Sequence, residues 1–311
     1  MTAIHFDSTL DDNERRKLLY GGDLFVLRPC PASLALCEFA REMIQEAFGN
    51  LDPRLAQYSL AVEQYASILS ELKPRFIHHP QSKKYIQSVL VEHGCDLNKT
   101  YFDVPRMRSS TSDGYLTTGI AYAWHPHRDT WYSAPPCQLN WWTPIYEMHS
   151  DDGVAFHPAH WSEPVSNNSQ IYNYYQWNKS HRAAAVQYVK EDPRPLPRPL
   201  NPVNSEHQIR PVCPTGGVLL FSGAQLHSSV PNNSGRTRFS LDFRTVNLDD
   251  VTAKRGAPNV DSACTGTSLR DFLRATDFSR MPDEVVSLYN DGTEDAGDLI
   301  YQPHPPSASA R

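Results

Sequence analysis

Two residues in the stretch HPHRDTWY (125–132) have the types and spacing of a metal chelate. His127 and Asp129 lie two positions apart, and on an extended strand such residues project from the same face. An imidazole and a carboxylate on one face can bind a single ion. His125 shares this face and offers an alternative chelate with His127. A carboxylate keeps the site of a divalent ion closer to neutral, which favours Asp129 as the ligand and gives His125 a supporting role.

A third ligand is expected from a distant part of the chain. In LLFSGAQLHSSV (219–230), His227 follows an apolar strand and a glycine turn. Two imidazoles and one carboxylate on one face of a metal leave positions open on the other, as in non-haem Fe(II) oxygenases. The spacing therefore predicts an iron site made of His127, Asp129 and His227.

Iron of this kind needs two electrons from a co-substrate before it can cleave O2, and a 2-oxo acid is the usual donor. Arg238 lies eleven residues after His227, with Ser240 on the same face of the alternating strand RTRFSLDFRTV. A guanidinium binds a carboxylate through two parallel hydrogen bonds. We expect Arg238 and Ser240 to bind 2-oxoglutarate. Zinc would accept the same three ligands, but a zinc hydrolase would leave Arg238 unexplained.

These motifs resemble those of the Fe(II)/2-oxoglutarate-dependent dioxygenases, in particular the phytanoyl-CoA dioxygenase-like group. The shared pattern is HxD, the distal histidine and the RFS triplet, within residues 100–246. The resemblance implies a double-stranded β-helix, Fe(II) as cofactor, 2-oxoglutarate and O2 as co-substrates, and hydroxylation of an unactivated carbon. Asp129 argues against a halogenase, because halogenating relatives lack this ligand.

Four further stretches, TYFDVPRMR, GIAYAWHPHRDTWY, QLNWWTPI and FHPAHW, are similar to bacterial Kdo 3-hydroxylases. That similarity implies a lipid-linked sugar substrate, the Kdo of lipopolysaccharide, met at the inner face of a membrane. No basic amphipathic helix for membrane docking is evident. Tailoring of a natural product is an alternative, and a non-catalytic metal-binding protein is an alternative of another class.

The strand after the chelate has one polar face. Gln138 and Asn140 lie on it with Trp142, and they are expected either to contact 2-oxoglutarate or to satisfy neighbouring backbone groups. The aromatic residues around the site form either a substrate wall or core, and core is favoured. The FHPAHW segment is expected to contact substrate or to form a lid. The candidate substrate residues are His125, Arg128, Trp131, Tyr132, His157 and Trp161; Arg128 is alternatively a structural ion pair.

Composition narrows the choice of partners. The 311 residues carry a net charge of -6 without a basic block, which argues against nucleic acid. No secretory signal and no apolar run long enough to span a membrane are evident, and the six cysteines form no CxxC pair. We expect a cytoplasmic chain with reduced thiols that binds a small molecule or sugar. The sequence does not indicate an oligomeric state.

Helical patterns come first and strand patterns second. Helices are predicted over 33–49 (capped by Ser33 and ended by Gly49), 55–72, 83–93 and 178–190, with short helical pieces in SLRDFLRATD and PDEVVSLYND. Short β-rich runs fill residues 100–248. We predict an α+β fold with a jelly-roll core, as one domain over 1–300: helical support (1–99), catalytic core (100–248) and C-terminal helices (249–300), followed by a flexible tail (301–311).

Overall fold

A computed structural model of the chain describes residues 2–117, 125–181, 192–289 and 291–292. The first part of the chain is mainly helical, as predicted. Its elements in chain order are β1 (Ile4–Phe6), α1 (Asp12–Tyr20), β2 (Leu24–Leu27), α2 (Pro31–Phe48), α3 (Val62–His78) and α4 (Pro80–Glu92).

The three helices predicted before residue 100 exist, but several of their boundaries differ. Helix α2 begins at Pro31, and Ser33 lies inside its first turn, where its hydroxyl accepts a 2.9 Å hydrogen bond from the Cys30 amide. The prediction that Ser33 is the N-cap is therefore wrong. Gly49 ends the helix with a φ of 61°, a backbone conformation that glycine adopts without strain. Helix α3 begins later than predicted, because a 3₁₀ turn occupies Ala56–Tyr58.

The second part of the chain is rich in strands. The elements are β3 (Thr100–Phe102), β4 (Arg106–Ser110), β5 (Leu139–Pro144), β6 (Val154–Phe156), α5 (Tyr174–Ser180), β7 (Val218–Ser222), β8 (His227–Ser229), β9 (Arg238–Asn247), α6 (Leu248–Thr252), β10 (Leu273–Arg274) and α7 (Asp283–Val286). The prediction of a helix in SLRDFLRATD is wrong, because that segment forms a 3₁₀ turn followed by strand β10. Most of the helix predicted over 178–190 and the whole predicted tail lie outside the described residues.

One large sheet organises the fold. Its strand order is β1-β2-β7-β5-β9-β3-β10, and β4 also pairs with β9. Strand β9 shows why the two faces differ. Phe239, Leu241 and Phe243 belong to the hydrophobic core that includes helices α2, α3 and α4. The alternate residues of β9 lie on the opposite face, which borders a cavity: Arg238, Ser240, Asp242 and Arg244. The alternation predicted for this strand is confirmed.

A smaller sheet lies against the polar side of the large one. Strands β6 and β8 pair with each other, and isolated bridges add His127 beside His227 and Ile209 beside Phe156. Apolar side chains from both sheets, including Trp142, Phe156 and Phe221, form one buried cluster between them. The described chain is thus a mixed α/β fold with a large sheet, and its polar inner face is available for a site.

Two further predictions can be compared with the structure. All six cysteines are free, as predicted from their spacing. Within the described ranges, no helix has the length and hydrophobicity required to cross a bilayer.

Candidate metal centre and cavity

The two predicted histidine ligands lie side by side, His227 on strand β8 and His127 in an isolated bridge to it. The amide of His127 donates to the carbonyl of His227 at 2.9 Å, and the reverse bond has the same length. Asp129 lies beside both: its Oδ1 is 3.6 Å from Nε2 of His127 and 4.0 Å from Nε2 of His227. Their ligand atoms all lie within 4.8 Å of one another, so the fold brings together the three predicted ligands.

In both imidazoles, Nδ1 faces a backbone carbonyl. Nδ1 of His127 lies 2.9 Å from the carbonyl of His125, and Nδ1 of His227 lies 2.9 Å from the carbonyl of Gln225. A carbonyl can only accept, so each Nδ1 carries the proton and each Nε2 presents a lone pair. His125 thus supports the site through its backbone. Its own ring donates from Nε2 to the Pro197 carbonyl at 2.7 Å, which argues against the alternative chelate.

The carboxylate of Asp129 is held by two amides. Gln138 and Asn140 donate to Oδ2 at 2.9 and 2.8 Å, and Gln138 also donates to the Asn140 side chain at 3.0 Å. Oδ1 remains directed at the histidines. The sequence analysis considered 2-oxoglutarate and neighbouring backbone as partners of these amides. The structure shows a third partner, the metal ligand itself.

The surroundings favour the protonation states that a metal requires. Burial by itself would raise the pKa of Asp129, but His127 and the Arg244 guanidinium outweigh it and hold this pKa well below its ordinary value. Burial, reinforced by His127, lowers the pKa of His227 to about 3. An ionised carboxylate and a neutral imidazole are the forms that bind metal ions.

The three ligands open into a cavity of about 320 Å³ between the two sheets. Arg238 lines this cavity, donating from Nη1 to Ser240 at 2.6 Å and from Nε to the Asp152 carbonyl at 2.8 Å. No carboxylate oxygen of the described residues lies within 4 Å of its guanidinium, and its Nη2 has no hydrogen-bond partner among them. Burial lowers the Arg238 pKa to about 10, which leaves it charged at neutral pH. A buried cation in this state is suited to bind an anion.

Aromatic side chains line another wall of the cavity. Tyr132, Tyr172, Tyr174 and Trp177 contribute to it. Tyr132 donates to the Pro197 carbonyl at 2.9 Å, and its ring meets the edge of His127 with centroids 5.6 Å apart. Tyr132, Tyr174 and Trp177 also belong to one buried aromatic cluster, so the core alternative that the sequence favoured holds while their rings line the cavity.

Two of the predicted substrate residues have structural roles. Arg128 is buried and pairs with Asp261 at 3.1 Å, while its Nη atoms donate to the carbonyls of Ala224, His160 and Glu163. Trp131 is fully buried and donates to the same aspartate at 2.7 Å. Neither lines the cavity. Their contacts therefore give no support to a direct substrate contact, and those of Arg128 fit the structural ion pair that was its alternative.

The segment containing His157 and Trp161 also lies off the cavity. His157 is buried and its Nε2 is 3.2 Å from the Ser228 hydroxyl. Trp161 lies so close to Gly22 that a Cβ there would be 2.7 Å from its ring. Neither residue is among those that line the cavity, so a direct contact with substrate, as predicted for both, is not supported.

A group of charged residues escaped the sequence analysis. Arg106, Arg108 and Arg244 line the cavity together with Asp103 and Asp242. The strand alternation contained the signal, because Asp242 and Arg244 share the face of Arg238. The pairing of β4 with β9, which brings in Arg106 and Arg108, cannot be read from local pattern.

Comparison with known proteins gives only remote similarities. No family model matches the chain, and no curated protein matches it. Among solved structures, EvdO2 from Micromonospora carbonacea var. aurantiaca is 11% identical with a TM-score of 0.42, over 78% of this chain and 93% of that one. EvdO2 complexed with 2-oxoglutarate is 12% identical with a TM-score of 0.42, over 77% and 92%.

A third structure is the non-heme alpha ketoglutarate dependent epimerase SnoN from nogalamycin biosynthesis. It is 10% identical with a TM-score of 0.35, over 76% of this chain and 84% of that one. At such identities and TM-scores, nothing about the function of this chain follows from these similarities.

Proposed function

We propose that this protein is an Fe(II)- and 2-oxoglutarate-dependent oxygenase that uses O2 to oxidise a polar small molecule. One observation carries the proposal: the ligand atoms of His127, Asp129 and His227 open into the same cavity as Arg238, a buried guanidinium without a carboxylate partner among the described residues. A metal centre alone, or an arginine alone, would be compatible with many functions. Their combination in one cavity fits a metal and a dicarboxylate bound side by side.

The residues present fit iron. Two neutral imidazole nitrogens and one carboxylate oxygen form the donor set associated with Fe(II) that keeps open positions. When bound, such iron activates O2 with electrons from a 2-oxo acid. In this assignment Asp129 and the two histidines hold the metal, while Arg238 binds the far carboxylate of 2-oxoglutarate. Ser240 fixes the direction of that guanidinium.

A hydrolytic zinc site is less well supported. It would need a general base near a metal-bound water. Of the cavity carboxylates, Asp242 forms a bidentate pair with Arg108 at 2.6 and 3.2 Å, and Asp103 bonds Arg106 and Arg244 at 2.6 and 2.8 Å. Both carboxylates are therefore occupied by guanidinium groups. Arg238 would again have no role.

The fold assignment rests on the same arrangement. The large sheet and the smaller four-segment sheet enclose the site between them, which supports a double-stranded β-helix in a single catalytic domain. For the substrate, Kdo and a natural product both stay predictions. The aromatic wall beside the metal centre suits the face of a ring.

An anaerobic titration tests the function. Adding Fe(II) and 2-oxoglutarate to the protein should produce a visible metal-to-ligand charge-transfer band. The band should be lost in Asp129→Ala and kept in Asp283→Ala, which removes an exposed carboxylate far from the site in sequence. A folded wild-type protein that gives no band would exclude the oxygenase and favour the non-catalytic alternative.

A further inference from the structure

The cavity contains more positive charge than a metal centre and one co-substrate require. Apart from the metal ligand Asp129, three guanidinium groups on β4 and β9 (Arg106, Arg108 and Arg244) lie beside two carboxylates, Asp103 and Asp242. Arg108 and Asp242 neutralise each other through their bidentate pair. Arg106 and Arg244 then share the carboxylate of Asp103, and Nε of Arg244 also lies 3.7 Å from Oδ2 of the metal ligand Asp129.

The hydrogen bonds around Asp103 show which groups remain available. Nη1 of Arg106 donates to Oδ2 of Asp103 at 2.6 Å, and Nη1 of Arg244 donates to the same oxygen at 2.8 Å. The backbone of Arg244 donates to Oδ1 at 2.8 Å. No hydrogen-bond partner within the described chain is found for Nε or Nη2 of Arg106, or for Nη2 of Arg244. Both residues line the cavity, so these N–H groups are available to a ligand.

The cationic surplus affects its surroundings. The pKa of Arg106 is lowered by burial and then by the charge of Arg244. Lys73, on helix α3, has its pKa lowered to about 7 by burial and then by Arg108. Arg244 differs: burial lowers its pKa, but Asp103 and Asp129 outweigh burial and raise it. Arg106 is therefore the cation whose charge an entering anion would stabilise.

This cationic group is distinct from the predicted 2-oxoglutarate anchor. Arg244 lies six positions after Arg238 on strand β9, about 20 Å of extended backbone. Arg106 pairs in register with Asp242, and Ser110, four residues later on β4, pairs with Arg238. Arg106 and Arg244 thus lie towards the opposite end of the paired strands from Arg238, and Nε of Arg244 is 3.7 Å from Oδ2 of Asp129.

We propose that Arg106 and Arg244, held by Asp103, form a subsite for an anionic group of the substrate, a carboxylate or a phosphate. This inference rests on the proposed function, because it names the class of molecule that the oxygenase would accept. The unused N–H groups would bind the oxyanion, and the aromatic wall would contact the rest of the substrate. A neutral substrate would leave a buried positive charge uncompensated.

Calorimetric titration with inorganic phosphate, and separately with acetate, tests the subsite without requiring turnover. We expect one anion per chain to bind, and Arg106→Met to weaken binding at least tenfold, since a charge-assisted hydrogen bond is lost. Arg106→Lys keeps the positive charge but not the planar pair of N–H donors, so we expect it to weaken anion binding a few-fold. This variant tests the subsite if Arg106→Met does not fold. Arg75→Met, at an exposed ion pair with Glu46, is the matched control and should bind like wild type.

A second readout separates this subsite from the co-substrate site. The midpoint of the anaerobic 2-oxoglutarate titration should stay within twofold of wild type in Arg106→Met, while Arg238→Met should weaken 2-oxoglutarate and keep anion binding. Absence of anion binding to wild type, equal binding to Arg106→Met, or an equal loss of 2-oxoglutarate binding in Arg106→Met would each overturn the subsite. Absence of the absorption band with anion binding intact would instead reject the oxygenase.

Discussion

Asn140 and Asp129 are joined by a 2.8 Å hydrogen bond from the amide Nδ2 to the carboxylate Oδ2, eleven residues apart in the chain. The bond, with that of Gln138, holds one oxygen of the carboxylate and turns the other towards both histidines. The amides therefore position a metal ligand, which is a different role from binding the co-substrate.

Asn140→Ala should weaken metal binding. Hydrogen-bond partners of metal ligands typically contribute about 10–100-fold to affinity, and Gln138 remains to hold Asp129, so we expect a loss of about tenfold. Titration with Mn(II) or Co(II) measures it. Asn204→Ala, at an exposed asparagine, is the control. If Asn140→Ala binds metal like wild type, or if its loss merely follows a lower melting temperature without metal, the positioning role is wrong.

Arg238→Met should raise the dissociation constant of 2-oxoglutarate by one to two orders of magnitude, because a desolvated charged hydrogen bond contributes about 1.5–3 kcal/mol. Arg238→Lys should recover only part of the affinity, since an ammonium group does not offer the planar fork. Ser240→Ala should reduce the affinity for 2-oxoglutarate less than Arg238→Met does, because Ser240 acts by orienting the guanidinium. The midpoint of the absorption band measures all three. Affinity for Fe(II) should stay unchanged; a parallel loss of metal would argue against this assignment.

A site residue could be predicted from the sequence where its position follows from the pattern of its own segment, and could not where it depends on contacts with distant segments. The alternation around Arg238 is a property of a single strand, and the structure has it as expected. His127 and Asp129 also converge as expected, but His127 forms an isolated bridge and Asp129 begins a 3₁₀ turn, so they do not share one strand. The bond from Asn140 to Asp129 and the pair of Arg128 with Asp261 join distant segments. Alternation along a strand shows which side chains lie on its polar face. The hydrogen-bond or ion-pair partners of those side chains depend on which other strand lies beside it. For this reason Arg106 was missed and the partner of Arg128 was not predicted.

The helices illustrate the same limit. The end of α2 at Gly49 follows from one residue's conformational freedom, so it could be predicted. Its start could not, because Ser33 is a good cap residue in isolation but lies after Pro31, which is preorganised for a first helical turn. The segment SLRDFLRATD has helical spacing, yet Leu273 and Arg274 pair with β3 instead.

Three thiols should resist alkylation in the folded protein. Burial raises the pKa of Cys37, Cys137 and Cys213 to about 12. The thiolate is the reactive form, so at pH 8.5 these groups stay protonated as well as inaccessible. Mass spectrometry after iodoacetamide should find them unmodified in native protein, and all six cysteines modified after denaturation in guanidinium. Rapid modification of these three without unfolding would contradict the structure.

Arg128→Met should lower the free energy of unfolding, because Arg128 has a structural role and its guanidinium bonds groups other than the metal ligands. Its guanidinium is buried, pairs with Asp261 and satisfies three backbone carbonyls. Removing it leaves a buried carboxylate without its cation, and breaking a buried pair in this way typically costs about 3–5 kcal/mol. Arg75→Met breaks a pair whose side chains are 50% and 65% exposed, so its cost should stay below about 1 kcal/mol. Urea denaturation of both variants measures the difference.

The double variant Arg128→Met/Asp261→Asn separates two explanations of that loss. If the unpaired charge of Asp261 is the main cost, neutralising it should restore part of the stability, even though the introduced amide cannot accept from Trp131 and the Val165 amide as strongly as a carboxylate does. If the lost bonds to the carbonyls dominate, the double variant should be no more stable than Arg128→Met. An Arg128→Met protein as stable as wild type would contradict the structural role and return Arg128 to the list of substrate residues.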